Sequence, residues 1–332
     1  MSKLMNDASG FVDESLSGII KAYSEQLRFV KEDHRAIVRA NAPAAGKVAI
    51  VTGGGYGHLP VFLGYVGEGL CDGVAVGNVF TSPSCEAITD AAKAVNGGNG
   101  ILFLFGNYMG DTMNFEMAGE ILGMEEIPTE IVKGSDDIAS GSREAYLERR
   151  GVGGIFFLYK IAGAKADEMA SLGEVAAAAR MAGQNIATLG FAMSSCQLPG
   201  APHPIFEIDD DDMELGMGIH GEPGIERVKT MSSKELACYT TEKLLRDLDV
   251  QDGEEVAMLV NGLGATSREE LFLFYNDIHT CFLERNVKIA KVYVGEYATS
   301  LEMKGGSVSI LKLNDERKRL LEKPACSPFV RY

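Results

Sequence analysis

Short, largely apolar runs recur through the first half of the chain, and two of the four lead into glycine within two residues. Such runs are typical of strands buried on both faces, and they occupy residues 48–51, 75–80, 101–105 and 155–159. Between them, apolar positions at helical spacing predict helices over residues 11–29, 60–70, 86–95, 114–122 and 164–182. Ser84 is well placed to cap the third of these helices. The alternation of strand and helix predicts a layered α/β domain.

A second unit of the same kind begins near residue 185. Its strands are predicted over residues 187–193, 256–260, 289–294 and 308–313, and its helices over 235–248 and 267–285. We therefore expect two layered α/β domains, each with a mostly parallel or mixed sheet. The N-terminal domain is predicted to span residues 1–184 and the C-terminal domain residues 185–332.

The glycine-rich stretch that follows the first predicted strand is the strongest candidate for a ligand site. It contains Gly53, Gly54, Gly55, Gly57 and His58. Glycines after a strand let the backbone approach a ligand closely, and a histidine there adds a titratable group at the carboxyl end of the strand. The alternative is a tight turn that contains an incidental histidine.

Two other segments also place a side chain capable of acid–base catalysis beside glycine residues. Asp111 closes a glycine-containing segment after the strand at residues 101–105, and His220 lies between glycines in residues 216–224. Together with His58 they make a reasonable acid–base set. A histidine that only caps a turn is the alternative for His220. A metal site is disfavoured because no HxH or HxxxH spacing occurs.

Composition excludes several classes of partner. The net charge of −16 argues against nucleic acid, whose phosphates need clustered Lys and Arg. The six cysteines are scattered without metal-ligand spacing, and no apolar run reaches 18 residues. We therefore expect a cytoplasmic protein that spans no membrane.

Residues 209–212 are four consecutive aspartates, which favour a solvated loop over a cation site.

Five motifs in this order resemble the dihydroxyacetone-binding subunit of dihydroxyacetone kinase. They are GGGYGH at residues 53–58, FTSP at 80–83, NYMGD at 107–111, GIHGEPG at 218–224 and NGLGAT at 261–266. The resemblance covers nearly the whole chain, and the segment at residues 218–224 is specific to that family. It implies a homodimer of chains with two α/β domains each.

The resemblance also implies roles for individual residues. His220 matches the histidine that holds the ketone as a covalent hemiaminal, and His58 and Asp111 match the acid–base pair. Neutral imidazole is a fair nucleophile and only a carbonyl forms this adduct, so glycerol would be rejected. The residues that would lie against the substrate are Gly54, Gly55, Tyr56, Gly57, Phe80 and Gly106.

The nucleotide is expected on a partner. The chain has no GxxxxGK[ST] motif and no convincing GxGxxG fingerprint, so no metal or nucleotide cofactor is expected on it. In the family, a separate helical subunit or domain presents ADP or ATP with Mg²⁺. That partner either exchanges ATP or keeps an ADP that a phosphotransferase-system protein recharges, and the sequence leaves both open.

Three positions depart from the family pattern GGGSGHEP and its neighbouring motif. Serine is replaced by Tyr56, glutamate by Leu59, and a common lysine by Gly106. A tyrosine is expected to reshape the rim of the pocket, and the loss of two charged groups to change local pKa values and the partner surface.

These departures leave three alternatives open. The substrate could be another short ketose such as erythrulose, or the chain could be a dihydroxyacetone-sensing co-activator of a transcription factor. An unrelated hydrolase built on His58 and Asp111 lacks a Ser or Cys nucleophile motif and is remote.

Overall fold

The computed structural model of the chain describes residues 3–32 and 34–331. Its strands, in chain order, are β1 (Leu27–Phe29), β2 (Ala36–Arg39), β3 (Ala49–Tyr56), β4 (Gly73–Val79), β5 (Ile101–Gly106), β6 (Thr129–Gly134), β7 (Ile186–Ala192), β8 (Asp212–Leu215), β9 (Glu226–Lys229), β10 (Glu255–Gly262), β11 (Lys288–Gly295) and β12 (Gly305–Lys312). Its α-helices are α1 (Phe11–Ala22), α2 (Cys85–Val95), α3 (Met109–Met124), α4 (Ile155–Asp167), α5 (Leu172–Gly183), α6 (Ser233–Asp247), α7 (Arg268–Glu284) and α8 (Asp315–Leu321).

The first six strands form one mixed sheet in the order β1-β2-β4-β3-β5-β6. Its central strands β4, β3 and β5 run parallel, while β1 and β2 pair antiparallel. The core on this sheet includes Ala49 and Val51 of β3, Phe103 of β5, and Phe115 of α3. Because β3, β4 and β5 are parallel, their carboxyl ends lie at the same edge of the sheet.

The other six strands form a second sheet in the order β11-β10-β12-β7-β8-β9. Only β10 and β11 pair in parallel, and the remaining pairs are antiparallel. Its core is packed by α6 and α7, which both begin with a serine capping box, at Ser232 and Ser267. The predicted fold class, two layered α/β sheets, is confirmed.

Neither of the two compact units is a continuous segment. The first comprises residues 1–133, 158–181 and 319–332, and the second comprises residues 134–157 and 182–318. The predicted boundary between residues 184 and 185 falls close to the point where the chain enters the second unit for the last time. The structure differs from the prediction at two segments. Residues 134–157 belong to the second unit and not to the N-terminal one, and residues 319–332 belong to the first unit and not to the C-terminal one.

Several predicted elements differ from the structure in the first unit. The helix predicted over residues 11–29 ends at Ala22, and residues 27–29 form β1 instead. The helix predicted over residues 60–70 is wrong, because the segment contains only the 3-10 turn Leu63–Tyr65. Phe62 there has a φ of 63°, which a right-handed helix does not allow.

The apolar run at residues 155–159 is the first turn and a half of α4 and not a strand. A short apolar run does not distinguish a buried helix from a buried strand. Asp136 decides the outcome, because its carboxylate accepts hydrogen bonds from the backbone N–H groups of Val152 and Gly154, just before the helix. The single helix predicted over 164–182 is the end of α4 and all but the last residue of α5.

Other boundaries agree closely with the prediction. Ser84 caps α2 as expected, with Oγ 3.2 Å from the backbone nitrogen of Ala87. The elements β2, β8, β9 and α8 were not predicted. No helix in the described part of the chain is both long and apolar enough to cross a membrane.

Candidate functional site

Three predicted site residues follow the carboxyl ends of the three parallel strands of the first sheet. His58 comes two residues after β3, Phe80 directly after β4, and Asp111 in the first turn of the helix that follows β5. Ligand sites of open α/β sheets occupy this edge. The parallel pairing of β4, β3 and β5 brings the ends of these three strands together.

His58 is buried between aromatic rings. Its imidazole stacks on Phe80 with ring centroids 4.7 Å apart and an interplanar angle of 10°, and it meets Phe62 edge-on at 6.2 Å. Both phenylalanines have left-handed backbone conformations, with φ of 58° and 63°. Non-glycine residues rarely adopt this conformation, and such strain is concentrated at functional sites. Nothing in the sequence indicated it.

The glycines before His58 are needed for close packing within the protein. A Cβ on Gly55 would lie 2.7 Å from the backbone nitrogen of Thr81 and 2.8 Å from Cα of Phe80. A Cβ on Gly54 would lie 2.2 Å from the ring of Phe62. In the structure, the absence of these side chains lets the end of β3 approach the groups that surround His58.

Four of the six predicted substrate-contact residues share one small cavity. Gly54, Gly55, Tyr56 and Gly57 line it with His58, and its volume is about 10 Å³, which is room for a single water molecule. Phe80 and Gly106, by contrast, do not line this cavity.

Tyr56 is tied to α1 through its side chain. Its hydroxyl hydrogen-bonds Ser15, and its ring lies edge-on to Phe11 at 6.3 Å. Burial raises the pKa of the phenol, so Tyr56 stays neutral. The tyrosine that departs from the family pattern therefore fixes the end of β3 to α1 through its ring and hydroxyl.

Asp111 is buried on the inner side of α3. The structure places it on a helix, whereas the sequence predicted a loop with the helix starting at residue 114. Its charge adds to the rise in the pKa of Tyr159, which burial raises well above its ordinary value. The hydroxyl of Tyr159 is 2.7 Å from that of Thr52 on β3. Tyr159 and Thr52 were not recognised from the sequence, because both lie in runs that read as ordinary core.

His220 lies in the second unit, in a tight loop after β8. Gly216 and Gly221 have φ of 81° and 79°, which explains the glycines on either side of it. The imidazole is about one-fifth exposed, and its Nδ1 is 2.9 Å from Oε1 of Glu222. The backbone N–H of His220 donates to the other carboxylate oxygen of Glu222 at 3.0 Å. Glu222 therefore fixes both the ring and the backbone of His220.

Gly218 provides the space for this carboxylate. A Cβ at residue 218 would lie 2.1 Å from Oε2 of Glu222 and 3.0 Å from Nη1 of Arg150. Burial alone would raise the pKa of Glu222, but the hydrogen bond and the charge of His220 outweigh it and lower that pKa to about 2. The carboxylate thus stays ionised at any ordinary pH.

Hydrogen bonds from other residues support the His220 loop, and the sequence analysis assigned no role to those residues. Arg150 donates to the carboxylate of Asp137 at 2.8 Å and to the carbonyl of Gly216 at 3.3 Å. Ser300 donates to the carbonyl of Ile219 at 2.6 Å. Asp137 is buried. Burial raises its pKa to about 6, with Arg150 opposing the rise.

The described residues contain no group of three or more His, Cys, Asp or Glu side chains that could hold a metal ion. Of the acidic run, Asp209 to Asp211 are exposed and Asp212 pairs with Lys229 at 2.7 Å.

The two sheets and their strand-end residues place the chain in a class of layered α/β proteins with a glycine-rich site. Residues 17–329 match the Dak1 domain, and the chain belongs to this family. The resemblance to the dihydroxyacetone-binding subunit of dihydroxyacetone kinase is thereby confirmed.

Two curated relatives differ in how much of their length the chain covers. One is the dihydroxyacetone-binding subunit DhaK of PTS-dependent dihydroxyacetone kinase 1 from Listeria innocua, 42% identical, with 96% of both chains covered. The other is D-erythrulose kinase from Mycolicibacterium smegmatis, 40% identical, with 99% of this chain but 56% of the relative covered. The chain therefore matches a separate subunit end to end and only part of the longer kinase.

Two solved structures share the fold. The dihydroxyacetone kinase of C. freundii in complex with AMP-PNP and Mg²⁺ has a TM-score of 0.89 at 30% identity and covers 98% of this chain and 60% of its own. The dihydroxyacetone kinase operon co-activator DhaQ has a TM-score of 0.88 at 29% identity and covers 96% and 97% of the two chains.

Proposed function

We propose that this chain is the substrate-binding subunit of a dihydroxyacetone kinase, a phosphotransferase that works only with a nucleotide-carrying partner. It holds the ketone on His220 and presents a terminal hydroxyl for phosphorylation. The observation that carries the proposal is the pairing of His220 with Glu222 on a glycine-rich loop, in a chain that matches a dihydroxyacetone-binding subunit over 96% of its length.

The geometry of His220 fits the role of a carbonyl nucleophile. Glu222 accepts a hydrogen bond from Nδ1–H, which leaves the lone pair of the neutral ring on Nε2. Nε2 attacks the carbonyl carbon, the C=O π electrons move to the oxygen, and that oxygen takes a proton from water. The ring then releases its Nδ1 proton to water, so the product is a neutral hemiaminal with a new N–C bond. Glycerol has no carbonyl and forms no such bond.

His58 and Asp111 supply the acid–base chemistry in this proposal. Both are buried at the carboxyl edge of the first sheet, where a proton donor or acceptor is shielded from water. Asp111 takes the proton of the substrate hydroxyl as it attacks the phosphoryl group, and His58 acts on the adduct. In this proposal Gly54 to Gly57, Phe80 and Gly106 surround the substrate, which requires the cavity beside His58 to widen beyond its present volume of about 10 Å³.

The nucleotide, ADP or ATP with Mg²⁺, belongs to the partner, and a bound ADP must be phosphorylated before it can donate a phosphoryl group. The C. freundii kinase, which binds AMP-PNP and Mg²⁺, has a chain of which this one covers 60%, so its remaining portion offers room for the nucleotide site. We also propose that the chain is a cytoplasmic homodimer, as the family resemblance implies. A phosphotransferase-system protein is a possible source of the phosphoryl group.

Intact-protein mass spectrometry tests the covalent step. The chain is incubated with dihydroxyacetone, erythrulose and glycerol in turn, and we expect a mass increase with a ketose and none with glycerol. His220→Ala should abolish the increase, and Asp111→Asn should keep it while slowing phosphoryl transfer. A mass increase that persists in His220→Ala would show that another residue forms the adduct.

The substrate of some relatives favours a refinement of this proposal. Relatives at 38–40% identity include three erythrulose kinases. Erythrulose carries the same ketone with one additional carbon, so capture by His220 serves both sugars. The fraction of the protein that carries the adduct, measured at equal low concentrations of the two ketoses, shows which of them the chain captures more strongly.

A second candidate function is a ketone-sensing co-activator. The likeness to the co-activator DhaQ over 97% of its length favours it. Such a protein would form the adduct on His220 without turnover. Measurement of phosphorylated ketose with a nucleotide-carrying subunit present separates the two functions, because a co-activator yields the adduct and no product.

A further inference from the structure

Helix α3 is apolar on two opposite faces. Its inner face contributes Phe115, Ala118 and Leu122 to the core of the first sheet. Its outer face carries large apolar side chains that are between 36% and 83% exposed. We call these five residues the α3 stripe: Met109, Met113, Met117, Ile121 and Met124.

The α3 stripe is continuous along the helix. Four of its members are spaced four residues apart, which places successive side chains on one face, and the set extends over about 22 Å of helix. A surface helix of a globular protein normally has one apolar face and one polar face. A second apolar face that is exposed in the isolated chain therefore indicates a surface that another molecule covers.

The charges beside the stripe indicate what kind of molecule covers it. Glu116 and Glu120 are exposed along the same face, and within residues 3–32 and 34–331 neither makes an ion pair. A second copy of this chain would bring the same two carboxylates to a symmetric contact, between two chains with a net charge of −16 each. A partner with lysine or arginine around an apolar patch fits the stripe better.

The position of the stripe relates it to the chemistry. Met109 is two residues before Asp111, at the end of α3 that adjoins the carboxyl edge of the first sheet. A molecule bound along the outer face of α3 is thereby set beside that edge. A phosphoryl donor must reach the substrate hydroxyl at this edge if Asp111 is the acid–base group.

We propose that the α3 stripe is the surface on which the nucleotide-carrying kinase subunit docks, through an apolar patch edged with basic side chains. This inference rests on the proposed function, because the partner exists only if the chain is a kinase subunit. Methionine suits such a contact, since its flexible, polarisable side chain adapts to irregular apolar surfaces.

The test measures binding by isothermal titration calorimetry. The probe is the nucleotide-binding subunit of Listeria innocua kinase 1 loaded with ADP and Mg²⁺, because its dihydroxyacetone-binding subunit is 42% identical to this chain. The variant M113E/M117E should raise Kd by at least roughly 30-fold, since it buries two charges in the apolar contact. Leu283→Glu is the matched control, an exposed leucine on α7 of the second unit, and should leave Kd unchanged.

A charge-reversal variant tests the second half of the proposal. E116K/E120K should weaken binding roughly tenfold at low salt, and the difference from wild type should shrink as salt is added. M113A/M117A, which introduces no charge, should weaken binding less than M113E/M117E. Circular dichroism and the ketone mass increase on each variant establish that the site and the fold are intact.

The outcomes separate the inference from the proposed function. If M113E/M117E captures ketone and binds the subunit as tightly as wild type, the docking surface is elsewhere and the proposed function stands. If the wild-type chain captures no ketone and binds no subunit, the proposed function fails and the docking surface fails with it. If Leu283→Glu alone weakens binding, the partner docks on α7.

Discussion

At the scale of single residues, the chemistry of the candidate nucleophile depends on a glycine and a glutamate beside it. Glu222 contacts His220 through both carboxylate oxygens, and Gly218 leaves the space that the carboxylate needs. Both residues stand in the motif that carried the family resemblance, but only the structure explains why a histidine needs those neighbours. The His-x-Glu spacing alone does not predict this contact, because the turn geometry that brings the two side chains together cannot be derived from the sequence.

Gly218→Ala should impair ketone capture without unfolding the chain. The added Cβ would lie 2.1 Å from Oε2 of Glu222, so the carboxylate must move and release His220. We expect the rate of the mass increase with dihydroxyacetone to fall roughly tenfold, the usual loss when an orienting contact is removed. Gly173→Ala is the control, because no atom lies within 4 Å of its added Cβ. Equal rates for both variants would mean that Glu222 does not orient the ring.

Asp137 should make stability depend on pH in a narrow window. Burial raises its pKa in the folded chain to about 6, above the ordinary value of 3.8. Between these values the unfolded chain releases the proton while the folded chain keeps it, so stability falls as pH rises from 4 to 6. The full effect is roughly 3 kcal/mol, from about two pKa units at 1.36 kcal/mol each.

Urea denaturation of wild type and Asp137→Asn at pH 4, 5, 6, 7 and 8 measures this contribution. The variant is expected to lose the contact with Arg150 at every pH, so the quantity of interest is the slope. Stability of the variant should fall less steeply than that of wild type between pH 4 and 6 and run parallel to it above pH 7. Parallel curves across the whole range would contradict the raised pKa.

At the scale of elements, strands were easier to predict than the segments between them. The run at residues 101–105 became β5, because it is wholly apolar and bounded by glycine on both sides. The run at 155–159 is equally apolar but forms a helix, since Asp136, 18 residues before Gly154, caps its N-terminus. Sequence windows of ordinary length do not contain that cap, so the error follows from the non-local origin of the signal.

The end of β3 should not tolerate a side chain at position 55. In Gly55→Ala, Cβ would meet backbone atoms of Phe80 and Thr81, which have no freedom to rotate away. We expect a loss of roughly 1–3 kcal/mol in the free energy of unfolding, the usual cost of overpacking, measured by urea denaturation. Gly123→Ala is the control, a helical glycine with open space around it. Unchanged stability in Gly55→Ala would show that β4 shifts freely.

At the scale of the whole molecule, the two sheets were predictable and the path of the chain between them was not. Alternating apolar patterns predicted two α/β units, and a change of pattern near residue 185 marked the second. The assignment of residues 134–157 and 319–332 depends on long-range contacts such as Arg149 with Asp247, and Ser327 with Gly64. Such contacts leave no periodic pattern in a sequence.

Ser327→Ala should loosen the loop after His58 while leaving the second unit unchanged. The hydroxyl of Ser327 donates to the carbonyl of Gly64 at 2.6 Å and accepts from the backbone nitrogens of Phe329 and Val330. We expect the free energy of unfolding to fall by roughly 1–3 kcal/mol, because these buried groups lose their hydrogen-bond partner. Hydrogen exchange should rise in residues 59–71 and stay constant in residues 216–224. A rise in both segments would indicate global destabilisation, and Ser171→Ala, at an exposed serine, should change neither.

The segment that contains Ser327 also gives the chain an order of assembly during translation. Residues 324–327 pack against Gly67 and Gly69, and Ser327 is 263 positions from Gly64. A ribosome has therefore finished every residue of the second unit before it makes the piece that supports the loop beside His58. A nonsense codon just after residue 318 would spare the unit that carries His220, the proposed ketone nucleophile, and deprive the other unit of its support. Such alleles should retain the covalent adduct and lose kinase output, which makes them a genetic means of separating the two activities.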